Sequence, residues 1–119
     1  QRYQLHPDHR ATGLGAVDGM VAARDPLFFP EMPLPPHRPA AMLLWSADAP
    51  DHWEDISDGL EGKIGALLCH SSQGETTMAN AHTGGAAEDA FAARIRSRAA
   101  AIGEPHGLQA AEAFKRLTP

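Results

Sequence analysis

The stretch "LHPDHRATG", residues 5–13, sets His6 and His9 three positions apart with Pro7 and Asp8 between them. Two imidazoles and a carboxylate in so short a span are the side chains of metal binding and of acid–base chemistry. Both rings could point into one cavity. Asp8 could hydrogen-bond a ring N–H and fix its tautomer and orientation, as carboxylates do around metal-bound histidines. The same residues also read as the mouth of a helix, with Asp8 as N-cap and two solvated histidines. Spacing alone leaves both readings open. A catalytic zinc needs about three protein ligands and an open position. The other histidines (His37, His52, His70, His82 and His106) show no tight ligand spacing.

The elements that must position these residues follow from periodicity and turn chemistry. Pro7 disfavours a helical residue at Leu5 or His6. A helix is expected from His9 to about Ala23, with Val17, Met20 and Val21 as its apolar stripe. Gly13, Gly15 and Gly19 weaken it by up to ~1 kcal/mol each relative to alanine, or else admit another backbone. "RDPLFFPEMPLPPHRP", residues 24–39, is Pro-rich and irregular, yet Leu27, Phe28 and Phe29 imply that it packs against something. "AAMLLW", residues 40–45, has the length and composition of a strand buried on both faces, as in parallel sheets. "HWEDIS" reads as a second short strand, anchored by Trp53 and Ile56.

Asp58 is expected to open a helix, paired with Glu61 in a capping-box-like arrangement. Leu60, Ile64, Leu67 and Leu68 then share one face. Residues 87–102 give the clearest helical pattern. Phe91, Ile95 and Ile102 face one way, Glu88 and Asp89 lie at the start, and Arg94, Arg96 and Arg98 fall in later turns, where they form a solvated face. Gly103 is a natural C′ residue. "LQAAEAFKRL" is compatible with a helix or a last strand. "SSQGETTMANAHTGG", residues 71–85, reads as a polar loop.

The composition narrows the class. A chain of 119 residues is one domain or part of one, and 43% hydrophobic residues suffice for a core. A formal net charge of -5 gives no electrostatic footprint for nucleic acid. The longest apolar run, residues 40–45, is too short to span a bilayer. The chain opens on Gln1 and meets its motif at once, so it is expected to be cut from something longer. One cysteine, Cys69, excludes an intramolecular disulfide and fits a reducing, cytoplasmic setting. Beside an apolar helix face, Cys69 is expected to be a small buried hydrophobe.

The order of the segments adds a resemblance. "HPDHRATG…AVDGMVAARDPLFFPE", then "DHWEDIS…GLEGKIGALLCHSSQ", then "AEAFKRL" resembles the later part of the LmbE/PIG-L family of zinc-dependent N-deacetylases. The similarity covers nearly the whole chain, least so over residues 74–85. It implies an α/β fold, a Rossmann-like, mostly parallel sheet flanked by helices, of which residues 1–119 are the C-terminal portion of a single domain. It implies that His9 is the third protein ligand to Zn2+. By the same resemblance His6 lies beside the metal-bound water and the substrate carbonyl, charged, to stabilise the oxyanion and to serve the leaving amine. Asp8 buttresses that histidine. The implied reaction is removal of an acetyl group from an N-acetylated amino sugar or its conjugate, with zinc-activated water as nucleophile.

One departure matters. The family's other two zinc ligands and its general base lie in an AHPDDE-type motif, and no such motif occurs in this sequence. The chain is therefore expected to be complete only with an N-terminal segment or chain of the same domain, and inactive and poorly stable by itself. The alternative is a non-catalytic truncated or binding subunit. A tyrosine that some relatives carry two residues before the first histidine is Gln4 here, and Tyr3 is out of phase, so Tyr3 is given no role. His70 and Gln73 follow the family pattern, as pocket-supporting residues or as a plain helix terminus. Arg24 could guide an anionic or sugar substrate, but an ion pair with Asp25 or Glu31 is the simpler expectation. Trp45 and Trp53 could stack on a sugar, with core or interface packing the simpler role. A homo-oligomer is left open.

Overall fold

The computed structural model describes residues 6–73 and 85–118. Tyr3, Gln4, His82 and residues 74–84 of the expected 71–85 loop lie outside the described residues. The element order is α1 (Pro7–Arg24), β1 (Met42–Trp45), β2 (His52–Asp55), α2 (Leu60–Leu68), a short 3-10 helix (Ser71–Gln73), α3 (Ala86–Gly103), a second 3-10 turn (Glu104–His106) and β3 (Ala111–Leu117). The ambiguous C-terminal segment is thus a strand, and "HWEDIS" is one as expected.

The three strands are ordered β1-β3-β2. β1 pairs antiparallel with β3, Met42 opposite Leu117 and Trp45 opposite Phe114. Flanking β2, the Asp51 N–H donates to the Phe114 carbonyl and the Ile56 N–H to the Ala110 carbonyl. Residue numbers rise on one side as they fall on the other, so this pairing is antiparallel too. The parallel, doubly buried strand expected from "AAMLLW" is corrected. Met42 and Leu44 are half-buried, while Leu43 and Trp45 face outward. A short apolar run does not by itself report the direction of its partner, and the partner here carries exposed Lys115 and Arg116.

The chain divides into two compact units, residues 1–51 with 114–119, and residues 52–113. The second holds a small core. Ile64 of α2, Phe91, Ala92 and Ala99 of α3, and Ala110 and Ala111 entering β3 are buried. Leu67, Leu68 and Ile95 pack against Phe91. The guanidinium of Arg96 on α3 forks onto the carboxylate of Glu61 on α2 with two bonds of 2.7 Å. Lys63 pairs with Glu112. The capping box expected of Asp58 and Glu61 does not form. The N-cap of α2 is Gly59, with no side-chain cap, because Glu61 is engaged by the stronger charge-assisted fork. Gly103 is the last residue of α3 rather than its C′ residue, and the left-handed turn falls at Gly107, φ 70. Cys69, expected to be buried, is exposed, its thiol donating to the Gly65 carbonyl at 3.3 Å.

The first unit is packed more thinly. No residue of α1 is buried. The Pro-rich segment does fold back, its His37 N–H donating to the Ala23 carbonyl at 2.7 Å near the end of α1, where helix carbonyls lack partners. A side chain added at Gly13, Gly15 or Gly19 would meet nothing within 4 Å, so these glycines do not serve a close backbone approach among the described residues.

Candidate functional site at the start of the first helix

The helix begins two residues earlier than the sequence suggests. Pro7 occupies its first position, where its fixed φ suits the helix and its missing N–H costs nothing. His6, not Asp8, is therefore the N-cap, held extended at φ -109 and ψ 125 as a residue before proline prefers. Its Nδ1 accepts the Asp8 backbone N–H at 3.3 Å. An Nδ1 that accepts carries no proton, so the neutral ring holds its proton on Nε2, which is free of this bond. The Asp8 carboxylate stands 3.7 Å from Nδ1, outside hydrogen-bond range but the nearest partner when that nitrogen is protonated. Asp8 is thus corrected from N-cap to first-turn acid, where it complements the helix dipole.

His9 follows one turn on. Its ring centroid lies 5.3 Å from that of His6 and 5.7 Å from that of Trp45. The fold places His6, Asp8 and His9 close together, with Trp45 at the end of β1 beside His9. A cleft of about 310 Å³ opens here, bounded by His9, Arg10, Thr12, Gly13 and Ala16 on α1 and by residues 42–46. Ser46, directly after Trp45, has φ 55, an uncommon conformation for a residue other than glycine.

Among the described residues, no three or more His, Cys, Asp or Glu side chains come together to hold a metal ion. The imidazoles of His6 and His9 are of the right kind for zinc but too few for a catalytic site, which takes about three protein ligands.

The other singled-out residues sit elsewhere. His70 directly follows α2, its N–H bonded to the Leu67 carbonyl, and both His70 and Gln73 are exposed. Arg24 makes no ion pair with Asp25 or Glu31. Asp25 instead accepts the Leu27 N–H at 2.9 Å. Trp53 stacks on His106, centroids 3.8 Å apart and planes 27° from parallel, the packing role expected of it. Trp45 is the opposite case, 67% exposed. No helix of the described residues is long and apolar enough to cross a membrane.

The sequence matches no protein-family model. Over 74 residues, 60% of this chain, it is 34% identical to the diacetylchitobiose deacetylase of Thermococcus kodakarensis, and the match spans 28% of that protein. The fold matches the N,N'-diacetylchitobiose deacetylase of Pyrococcus horikoshii, solved in complex with its inhibitor MPG, with a TM-score of 0.70 and 26% identity. This chain is similar to diacetylchitobiose deacetylases. The structural match takes in 98% of this chain but 42% of the solved one, so this chain spans less than half the length of either relative. The combined likeness in sequence and fold supports kinship with deacetylases of amino sugars.

Proposed function

We propose that this chain is the C-terminal portion of a zinc-dependent N-deacetylase of the LmbE/PIG-L type, acting on an N-acetylated amino sugar or its conjugate in the cytoplasm. The observation that carries the reading is the His6–Asp8–His9 cluster at a helix start, in a chain similar over 60% of its length to a diacetylchitobiose deacetylase. His9 would be one zinc ligand. An N-terminal segment or chain of the same domain would bring the other ligands and the general base. In that assembly the three described strands would border a larger, mostly parallel Rossmann-like sheet. Zinc bound there would supply Lewis acidity to the acetyl carbonyl and to the attacking water.

The residues of this chain would do the rest of the positioning. His6 accepts the Asp8 N–H through Nδ1, and Nε2 would be the nitrogen turned to substrate. Protonated, it would donate to the oxygen that gains charge as the amide is attacked, and then serve the departing amine. Asp8 would then take the Nδ1 proton as a hydrogen bond and hold the ring in place. Substrate enters beside Trp45.

The test is acetate release from N,N'-diacetylchitobiose by the native protein, together with its zinc content. Acetate release with about one zinc per site, both lost in His9→Ala, is the expected result. Native protein with neither zinc nor acetate release would overturn it. The absence of a three-ligand group among the described residues would then favour a non-catalytic binding subunit.

A further inference from the structure

Trp45 is an anomaly of the first unit. Large aromatics are usually well buried, and this indole is 67% exposed. It does not stand alone on the surface. Its ring centroid is 5.7 Å from His9, the two planes tilted by 50°. It borders the about 310 Å³ cleft whose other wall is α1. Beyond His9 and Arg10, that wall carries only small side chains. Thr12, Gly13 and Ala16 fall three, four and seven positions after His9, on one helix face. A Cβ at Gly13 would meet no atom within 4 Å, so open space lies directly before it. The strand ends at Trp45, where Ser46 takes φ 55 and turns the chain away. A non-glycine residue held in that conformation is a local cost of the kind that gathers at binding sites.

We propose that the exposed indole of Trp45 is the stacking platform for the pyranose ring that carries the acetamido group, with the small face of α1 as the floor of that subsite. This rests on the deacetylase reading above and names a substrate contact within it. A pyranose offers on one face a patch of C–H groups, weakly positive, that suits the negative face of an aromatic ring. An indole gives the largest such face, with only two side-chain torsions to order. A ring seated on Trp45 puts its substituents beside His9, where the acetyl group must lie for the proposed chemistry. The volume suits one sugar ring and little more, near the lower limit of small-molecule sites.

The experiment titrates the native protein with N,N'-diacetylchitobiose beside its Trp45→Phe variant, so that the difference in emission belongs to Trp45. A saturable change in tryptophan emission is expected. In steady-state kinetics, Trp45→Ala should raise KM by about tenfold with little change in kcat, and Trp45→Phe should recover part of the loss. Gly13→Leu separates binding from folding. It fills open space on a helix face and gains helix propensity, so the melting temperature should hold or rise while KM rises. Unchanged emission and unchanged KM in Trp45→Ala, with acetate still released, overturn the platform and leave the deacetylase standing. Saturable emission changes in a protein that releases no acetate support the platform and remove the deacetylase. A Trp45→Ala variant that loses stability while the substrate still binds with unaltered KM makes the indole a packing residue and overturns the proposal.

Discussion

The ring Nδ1 of His6 accepts the backbone N–H of Asp8 at 3.3 Å, so one side chain both caps α1 and stands in the proposed reaction site. The two duties separate by substitution.

Asparagine is among the best N-caps and has no proton to exchange near neutral pH. His6→Asn should therefore keep the helix start, with stability within about 0.5 kcal/mol of the parent, while deacetylation falls by roughly 10²–10⁴-fold. His6→Ala should lose the activity equally and about 1 kcal/mol of stability as well. Urea denaturation beside acetate release checks both. Equal activity in His6→Asn and the parent would confine His6 to capping.

Acid sensitivity is expected from three exposed carboxylates. Asp51 accepts the Arg116 backbone N–H at 2.8 Å and pairs with Lys115, which together hold it below its ordinary value of 3.8. The hydroxyl and N–H of Ser57 do the same for Asp55, and the Arg96 guanidinium does so for Glu61, whose ordinary value is 4.5. Groups depressed in the fold bind protons more readily when unfolded. Their contribution is thus complete above the ordinary carboxylate values and is lost as pH falls through the depressed ones. The melting temperature should drop between about pH 5 and about pH 3, and the drop should shrink in Asp51→Asn combined with Glu61→Gln. The effect of each pair is small because all are exposed and screened. An acid limb of unaltered steepness in the double variant would assign it to other groups.

The first unit exposes Leu14, Leu27, Phe28, Phe29 and Leu34, and clustered exposed apolar residues mark surfaces that another segment covers. β1 is an edge strand in the order β1-β3-β2. Residues 1–119 expressed alone should bind a hydrophobic dye and melt over a broad range. Adding the proposed N-terminal segment should abolish the dye signal and sharpen the transition. A sharp melt of the isolated, monomeric 119-residue chain would show that this surface needs no cover.

The local code of the second unit was largely legible. The 3.6-residue spacing of Ile64, Leu67, Phe91 and Ile95 marked α2 and α3, because burial on one helix face leaves a periodic trace. The strand pairing left no such trace. "AAMLLW" shows neither the direction of its partner nor that Trp45 faces out, since both depend on a chain segment about seventy residues away. At the candidate site, spacing alone showed that His6, Asp8 and His9 lie close together. Their division of labour was not legible, because Pro7 at the first helical position moves the cap by two residues. Of the cleft wall, only Gly13 was singled out, read with Gly15 and Gly19 as weakening the helix or admitting another backbone. Only the placement of Trp45 opposite shows what the small side chains leave open.

Gly103 offers a test in which propensity and packing oppose each other. It is the last residue of α3 and is buried. On helix propensity alone, Gly103→Ala should stabilise by up to about 1 kcal/mol. A Cβ at that position, however, would lie 2.5 Å from the Leu108 carbonyl oxygen and 3.1 Å from its carbon. Both are backbone atoms of the turn that closes through the Leu108 N–H bond to the Gly103 carbonyl at 3.1 Å. That turn delivers buried Ala110 and Ala111 into β3, so it cannot yield without disturbing the core. Overpacking should dominate, and Gly103→Ala should lower stability by about 1–3 kcal/mol. Gly107 is the internal control. Its φ of 70 strains any other residue, but a Cβ there would touch nothing within 4 Å. Gly107→Ala should therefore cost about 1 kcal/mol from backbone strain alone. Urea denaturation of both variants checks the order. A Gly103→Ala variant more stable than the parent would mean that the turn at Leu108 moves freely and that the close approach is not a constraint on the fold.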